Sequence, residues 1–296
     1  MRFSIIVPTY NRQRILRRCL KAVTSQEYPD YEVIVVDDAS GDGTREMVER
    51  EYPDVRYFQQ KTNQGPAAAR NRGIQEAHGE IIAFTDDDCL PPANWLSVLS
   101  AGFKVYPQAG AVGGLQEPPP EIWSQNLLAR YERYRTRQVY QLGSEVKIGW
   151  PVPVGTNNLA IKKEILMQLG GFDDDFPVAS GEDADLLHRL AAMDYPTVCL
   201  PLSVAHHQTY TWPSFIQQQF RRGVGATYFL AKRGLLRSLA RDYLLLFGLP
   251  FLFWLDAWRS RSFQIAFVSV VSHFLQILGR IRTRSDLKTY QPKDSR

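Results

Sequence analysis

The chain has 296 residues, 44% of them hydrophobic and 22% charged. That is ordinary globular composition, which excludes a disordered, collagenous or multi-span membrane protein. A net charge of +4 is too small for a nucleic-acid binder without a local basic cluster. Three widely spaced cysteines, Cys19, Cys89 and Cys199, exclude a disulfide framework or a Cys-rich zinc site and fit a reducing cytosol.

No secretory signal is expected, because the apolar run after Met1-Arg2 ends at Pro8. Residues 3–7 read as a buried strand, and Ile15, Leu16, Cys19, Leu20 and Val23 then recur at helical spacing. A second strand over 31–36 ends at Asp37-Asp38. The turn Gly41-Asp42-Gly43 leads into a helix to about 51, and 55–59 is a third strand. Pro66 stands where a first-turn proline opens a helix over 67–77. The fourth strand, 80–84, ends at Thr85-Asp86-Asp87-Asp88. Pro91-Pro92 start a helix to about 105, followed by a strand over 109–115. Beyond the break at Pro118-Pro119-Pro120, an Arg/Tyr-rich helix is expected over 122–140 and a strand over 154–161. Gly181-Glu182-Asp183 open a further helix, with a short strand over 198–200 and a helix over 212–232.

Strands alternating with helices imply βαβ units and a mainly parallel sheet, an α/β fold. Such sheets bind ligands outside the carboxyl ends of their strands. Three strands here end in polar clusters: Pro8-Thr9-Tyr10-Asn11-Arg12, Asp37-Asp38 and Asp86-Asp87-Asp88.

Three adjacent carboxylates repel unless a cation is near, and hard oxygens suit Mg²⁺ or Mn²⁺. Alone, the triplet also reads as a solvated acidic turn at a helix start. Asp37-Asp38 reads either as a cap or as an acceptor for a ring N–H. In Asn63-Gln64-Gly65-Pro66-Ala67-Ala68-Ala69-Arg70 the small residues allow close helix packing, and Arg70 and Arg72 bring positive charge toward a phosphate. Glu182 and Asp183 either complement a helix dipole or supply a general base.

The segments VPTYNR, VVDDASGDGT, NQGPAAARNRG, FTDDDC, GGFDDDF and GEDADLLHRL occur in one order. Over roughly residues 3–230 the set resembles the inverting family 2 glycosyltransferases of the GT-A (Rossmann-like) fold. The resemblance implies a nucleotide-sugar site lined by Pro8, Tyr10, Arg12, Asp38, Asn63, Gly65, Arg70, Asp86, Asp87, Asn157 and Glu182. Asp38 would accept from a uracil N3–H, and Arg70 would face the donor phosphates. Asp86 and Asp88 would hold a divalent metal, Mn²⁺ or Mg²⁺, with His206 or its neighbour His207 as a further ligand. Asp183 would be the catalytic base, and Gly155-Thr156-Asn157-Asn158 would line the sugar.

The expected activity is transfer of a hexose from a nucleotide-diphosphate sugar, UDP-linked, to a hydroxyl of a cell-envelope glycan or lipid-linked acceptor. The alternatives are a polyprenyl-phosphate glycosyltransferase and an inactive GT-A binding module. A dinucleotide-binding oxidoreductase is disfavoured, since the first turn reads Pro-Thr-Tyr-Asn-Arg and not G-x-G-x-x-G.

The sequence divides into a transferase domain over 1–234 and a C-terminal segment over 235–296 with a net charge of +6. That segment holds apolar stretches at 243–255 and 263–278. It reads first as an amphipathic, membrane-surface element, then as helices packing on the domain or on a second copy, then as short spanning helices. The expected location is therefore cytoplasmic, peripheral at the inner face of the cell membrane.

Overall fold

The computed structural model describes residues 1–139, 145–152, 154–207, 210–235 and 239–287, with the backbone alone at 139, 202–207, 239–241 and 285–287. The chain forms two compact units. The first comprises Met1–Pro119, Thr136–Asp174 and Asp183–Gln208; the second comprises Pro120–Arg135, Asp175–Glu182 and the chain from Thr209 onward. The boundary drawn after residue 234 from sequence thus falls inside the second unit.

In the first unit the order is β1 (Phe3–Thr9), α1 (Gln13–Val23), β2 (Tyr31–Asp37), α2 (Thr44–Glu51), β3 (Arg56–Gln59), α3 (Pro66–Glu76), β4 (Ile81–Phe84), β5 (Cys89–Leu90), α4 (Trp95–Val105) and β6 (Ala111–Gln116). After α5 (Pro120–Trp123) and α6 (Leu127–Val139) come β7 (Lys147–Ile148), β8 (Leu159–Lys162), α7 (Lys163–Gln168), α8 (Glu182–Ala192) and β9 (Thr197–His207). The strands run β3-β2-β1-β4-β8-β6-β9-β5, with β7 against β9.

Parallel pairing joins β1, β2, β3 and β4, and separately β6 with β9, whereas β8 lies antiparallel between β4 and β6. The expected α/β sheet flanked by helices is present, and it is mixed. The carboxyl ends of β1, β2 and β4 lie side by side, because Val7, Pro8 and Thr9 register with Val35, Val36 and Asp37, and Ile6 with Phe84. That register brings the three polar clusters of the sequence to one edge.

Burial on both faces explains why β1 is apolar apart from Ser4 and Thr9. Phe3, Ile5 and Val7 pack with α1 and α4, while Ile6 packs with α3 on the other face. A Cβ on Gly73 would stand 2.6 Å from Ile6, so α3 rests directly on the sheet.

Three expectations change. Residues 154–158 form a turn, closed by Asn158 N–H donating to the Gly155 carbonyl at 3.0 Å, and only Leu159–Lys162 is strand. The helix expected over 122–140 is two, because Asn126 accepts from the Leu128 and Ala129 N–H groups and caps a new start. The strand expected over 198–200 extends to His207, with a register shift opposite Gly114/Leu115 that absorbs Pro201.

The second unit contains α9 (Trp212–Lys232), α10 (Leu239–Phe247), α11 (Leu249–Ser260) and α12 (Phe263–Leu287). Its small apolar core of Leu128, Tyr131, Phe215 and Val268 surrounds a buried polar network. Glu132 accepts from Gln219 and from Arg222, each at 3.0 Å. Burial works against its charge, yet Arg135 and Arg222 hold its carboxyl down at about 2.

Asn158 is fully buried, accepts from the Trp95 indole at 2.7 Å and donates to the Leu115 carbonyl at 3.1 Å. Asn158→Ala therefore strands two buried polar groups. Urea unfolding should show a loss of about 2–4 kcal/mol.

Candidate active site

The turn after β4 carries Asp86, Asp87 and Asp88, of which Asp86 keeps partial access to solvent. Asp87 and Asp88 are buried. Thr9, the last residue of β1, donates its hydroxyl to Asp87 at 2.8 Å. Arg12, at the start of α1, reaches Asp87 at 2.9 Å and Asp88 at 3.3 Å. Burial nevertheless pushes Asp87 up to about 6, against Arg12 and with the help of the Asp88 charge.

Arg70 balances the third carboxylate. It stands on the first half of α3, where Ala67, Ala68 and Ala69 are buried and let the helix approach closely. Its guanidinium donates to Asp86 at 2.7 Å and lies 5.6 Å from the centre of the Phe172 ring. Phe172 stacks edge-on against Phe84 at 5.2 Å, and its backbone is held at both N–H and C=O by the Asn71 amide. Asn71 and Phe172 fall within the quoted segments NQGPAAARNRG and GGFDDDF, but the sequence assigned them no role. Their only signals were the Arg70-Asn71 pair and the glycines before Phe172, of which Gly171 has φ +76°.

Asp38 follows directly on β2 and receives three hydrogen bonds. Oδ1 accepts from Gln60 Nε2 at 2.8 Å and Gln64 N–H at 2.7 Å, and Oδ2 accepts from Gly65 N–H at 2.7 Å. Gly65 has φ +90°, a conformation costly for other residues, and turns the chain into α3. Asp38 therefore fixes the loop before α3 while Oδ2 keeps a lone pair. Its neighbour Asp37 accepts from the Ser40 N–H at 2.8 Å and from the Tyr57 hydroxyl. The loop after β1 is tied across to the loop after β2, since Asn11 N–H donates to Ser40 Oγ at 2.7 Å and Gly41 N–H to Asn11 Oδ1 at 2.9 Å.

Asp183, in the first turn of α8, accepts from the Ala184 N–H at 2.7 Å. A Cβ on Gly155 would lie 3.1 Å from Asp183 Oδ2, so glycine there leaves the carboxylate its space. Burial raises the Asp183 pKa; the Ala184 N–H and Arg70 lower it and Asp86 raises it further. Asp183, Arg70 and Asp86 thus share one electrostatic neighbourhood. Asn157 donates to Gln116 and accepts at its carbonyl from Thr85 at 3.1 Å, which places it beside the ends of β4 and β6.

The other expected residues are placed as follows. Pro8 is buried within β1, Tyr10 is exposed just beyond it, and Asn63 is exposed on the loop before α3. Glu182 is buried and falls in the second unit. The His206 and His207 side chains lie outside the described residues; their backbones pair with Leu90 and Cys89, directly after Asp88.

Among the described residues no three His, Cys, Asp or Glu side chains form a ready metal cage. Asp86 and Asp88 fit a hard divalent ion in donor type.

A family model described as "Glycosyl transferase family 2" matches residues 4–169. Glycosyltransferase AglE of Haloferax volcanii is 31% identical over 229 residues, covering 75% of this chain and 72% of the relative. A Campylobacter jejuni GalNAc(5)-diNAcBac-PP-undecaprenol beta-1,3-glucosyltransferase is 41% identical over 91 residues, covering 29% of each. Among solved structures, a mannosyltransferase of Pyrobaculum calidifontis in complex with GDP-Man and Mn²⁺ superposes with a TM-score of 0.71 at 23% identity. That alignment covers 96% of this chain and 87% of the other.

The electrostatics give a pH-dependent expectation. The folded-state pKa of Asp87, about 6, exceeds the unfolded value of about 3.9. Its ionised form costs stability above that folded value, and the cost fades as the pH falls through it. Arg12→Ala should cost about 1–2 kcal/mol at neutral pH, discounted for the exposure of Arg12. Unfolding at successive pH values should show this penalty shrinking as Asp87 protonates.

Proposed function

The chain belongs to glycosyl transferase family 2 and is a glycosyltransferase that uses nucleotide-sugar donors, and on that premise we propose a specific reaction. A hexose passes from a uridine-diphosphate sugar to a hydroxyl of a lipid-linked or cell-envelope glycan, with inversion at the anomeric carbon. The observation that carries this is the convergence of Arg12, Arg70 and the Asp86–Asp88 triplet, with Asp183 close enough to feel the charges of Arg70 and Asp86.

The donor lies across the ends of β1, β2 and β4. Asp38 Oδ2 accepts from the imide N–H of uracil with its unused lone pair, and Tyr10 flanks the base. Arg70 faces the diphosphate. Asp86 and Asp88 would hold a divalent cation, which would supply positive charge to the diphosphate and make it a better leaving group.

Asp183 then takes the proton of the acceptor hydroxyl as its oxygen attacks the anomeric carbon from the opposite face. The bond from that carbon to the diphosphate oxygen breaks, and the nucleoside diphosphate leaves with the electron pair. The raised pKa of Asp183 suits it to receive a proton in the transition state.

The Campylobacter relative is named for an undecaprenol-linked acceptor, which supports the lipid-linked class. An acceptor of that class would bring the reaction to a membrane, which is consistent with a peripheral enzyme at its cytoplasmic face. Catalysis belongs to the first unit, and residues 235–296 serve another role.

Asp183→Asn should retain donor affinity and lose about a hundredfold or more in kcat. Near-normal turnover would remove Asp183 from the role of base. The acid limb of kcat/KM should lie above the ordinary aspartate value of about 3.9. A screen of nucleotide sugars should give UDP release with a UDP-hexose; release confined to GDP-sugars would overturn the uracil reading.

A further inference from the structure

The second unit carries a contiguous apolar surface that its own packing does not use. Phe247, Phe251, Trp254, Trp258, Phe263 and Phe267 are between 56% and 83% exposed. Those on α11 and α12 form one surface, because Trp254 and Phe263 meet edge-on at 6.2 Å and Phe253 touches both rings, while Phe247 ends α10 just before α11. Exposed aromatics clustered in this way mark an interaction site.

We infer that this surface docks on an anionic lipid bilayer, with α11 and α12 lying in the plane of the interface. The inference stands apart from the transferase chemistry. Three observations carry it, all within the second unit.

The first is the two-sidedness of α12. Phe263, Phe267, Phe274, Leu278 and Arg282 line its outer face, while Ser269, Ser272, Gly279 and Thr283 are buried on the other. The inner face is bonded: Ser272 donates to Gln219 at 2.9 Å, Gln276 to Gln219 at 3.0 Å, and Ser269 to Asp256 at 2.6 Å. Cβ atoms on Gly223 and Gly279 would fall 2.0 Å and 2.4 Å from backbone oxygens of the facing helix, so α9 and α12 are fixed together at close range.

The second observation excludes a span. By length and composition Phe263–Arg284 could cross a membrane. Its bonded partner α9, however, exposes Gln217, Gln218 and Arg221. Those groups would enter hydrocarbon with it, at a cost the apolar stripe cannot offset. Lying flat, α12 immerses only its apolar side, with Trp254 and Trp258 at headgroup depth.

The third observation is the sign of the charge. Among the described side chains of this segment, Asp242 and Asp256 are buried and bonded, to Arg284 at 2.8 Å and to Tyr134 at 2.6 Å. The exposed charges are Arg259, Arg261 and Arg282. An anionic surface complements them, whereas a second copy in a two-fold contact would set like charges together.

The test is flotation of the full chain with vesicles of phosphatidylcholine alone and of phosphatidylcholine mixed with phosphatidylglycerol. Binding is expected to the mixed vesicles, to weaken with salt, and to be released by carbonate. Trp254→Ser/Trp258→Ser and, separately, Arg259→Glu/Arg261→Glu should each weaken vesicle binding by at least about tenfold. Both should keep the parent's circular dichroism, melting temperature and donor hydrolysis in solution. Equal binding to both vesicle types, or resistance to carbonate, would overturn the inference. So would concentration-dependent dimerisation, abolished by the same substitutions, in a chain that ignores vesicles.

Discussion

The structure depends on how three consecutive carboxylates are tolerated at the end of one strand. Asp86, Asp87 and Asp88 are held by two arginines from separate helices, Arg12 at the start of α1 and Arg70 on α3. Each arginine needs its helix placed accurately. For α3 that placement comes from Gly73 seated on Ile6 and from Asp38 gripping the Gln64 and Gly65 N–H groups. For α1 it comes from the loop lacing of Asn11 with Ser40 and Gly41. The buried charge and the packing of the sheet edge are thus one problem with one solution. The same charges, arranged to balance in the protein alone, are those that phosphates and a cation would redistribute.

Much of this was legible in the sequence because its signals are local. Apolar runs ending in Asp pairs or triplets give both strand and edge, and parallel register then gathers the edges together. Helix α9 matches its expected bounds because Thr211 and Ser214 form a reciprocal cap and Pro213 stands in the first turn. What escaped depends on tertiary context. Strands β5 and β7 are two residues each and, among the described residues, pair with β9 alone. The break between α5 and α6 turns on the side chain of Asn126, which as a residue type inside an Arg/Tyr-rich run gives no warning. Asn71 and Phe172 are a hundred positions apart in sequence yet bond mutually, a pairing that no periodicity encodes.

The second unit solves a different problem by the opposite means. Its interior is polar where a small domain is usually apolar: Glu132, Gln219 and Ser272 are buried and mutually satisfied, and buried Asp256 is satisfied by Ser269 and by the half-buried Tyr134. Phe251, Trp254, Trp258, Phe263 and Phe267, by contrast, stand outside. A network of this kind fixes which face of each helix turns inward, and leaves the apolar face for another medium. The near-neutral total charge of the chain conceals this division, since the C-terminal segment alone carries +6.

The central claim is that the Asp86–Asp88 triplet is a cation-assisted diphosphate site whose carboxylates the arginines hold in readiness. Calorimetric titration of UDP with and without Mn²⁺, on the parent chain and on Asp88→Asn, tests it most directly. The account predicts that Mn²⁺ tightens UDP by about tenfold or more in the parent, and that Asp88→Asn abolishes this gain. Equal UDP affinity with and without the ion in the parent chain would contradict it.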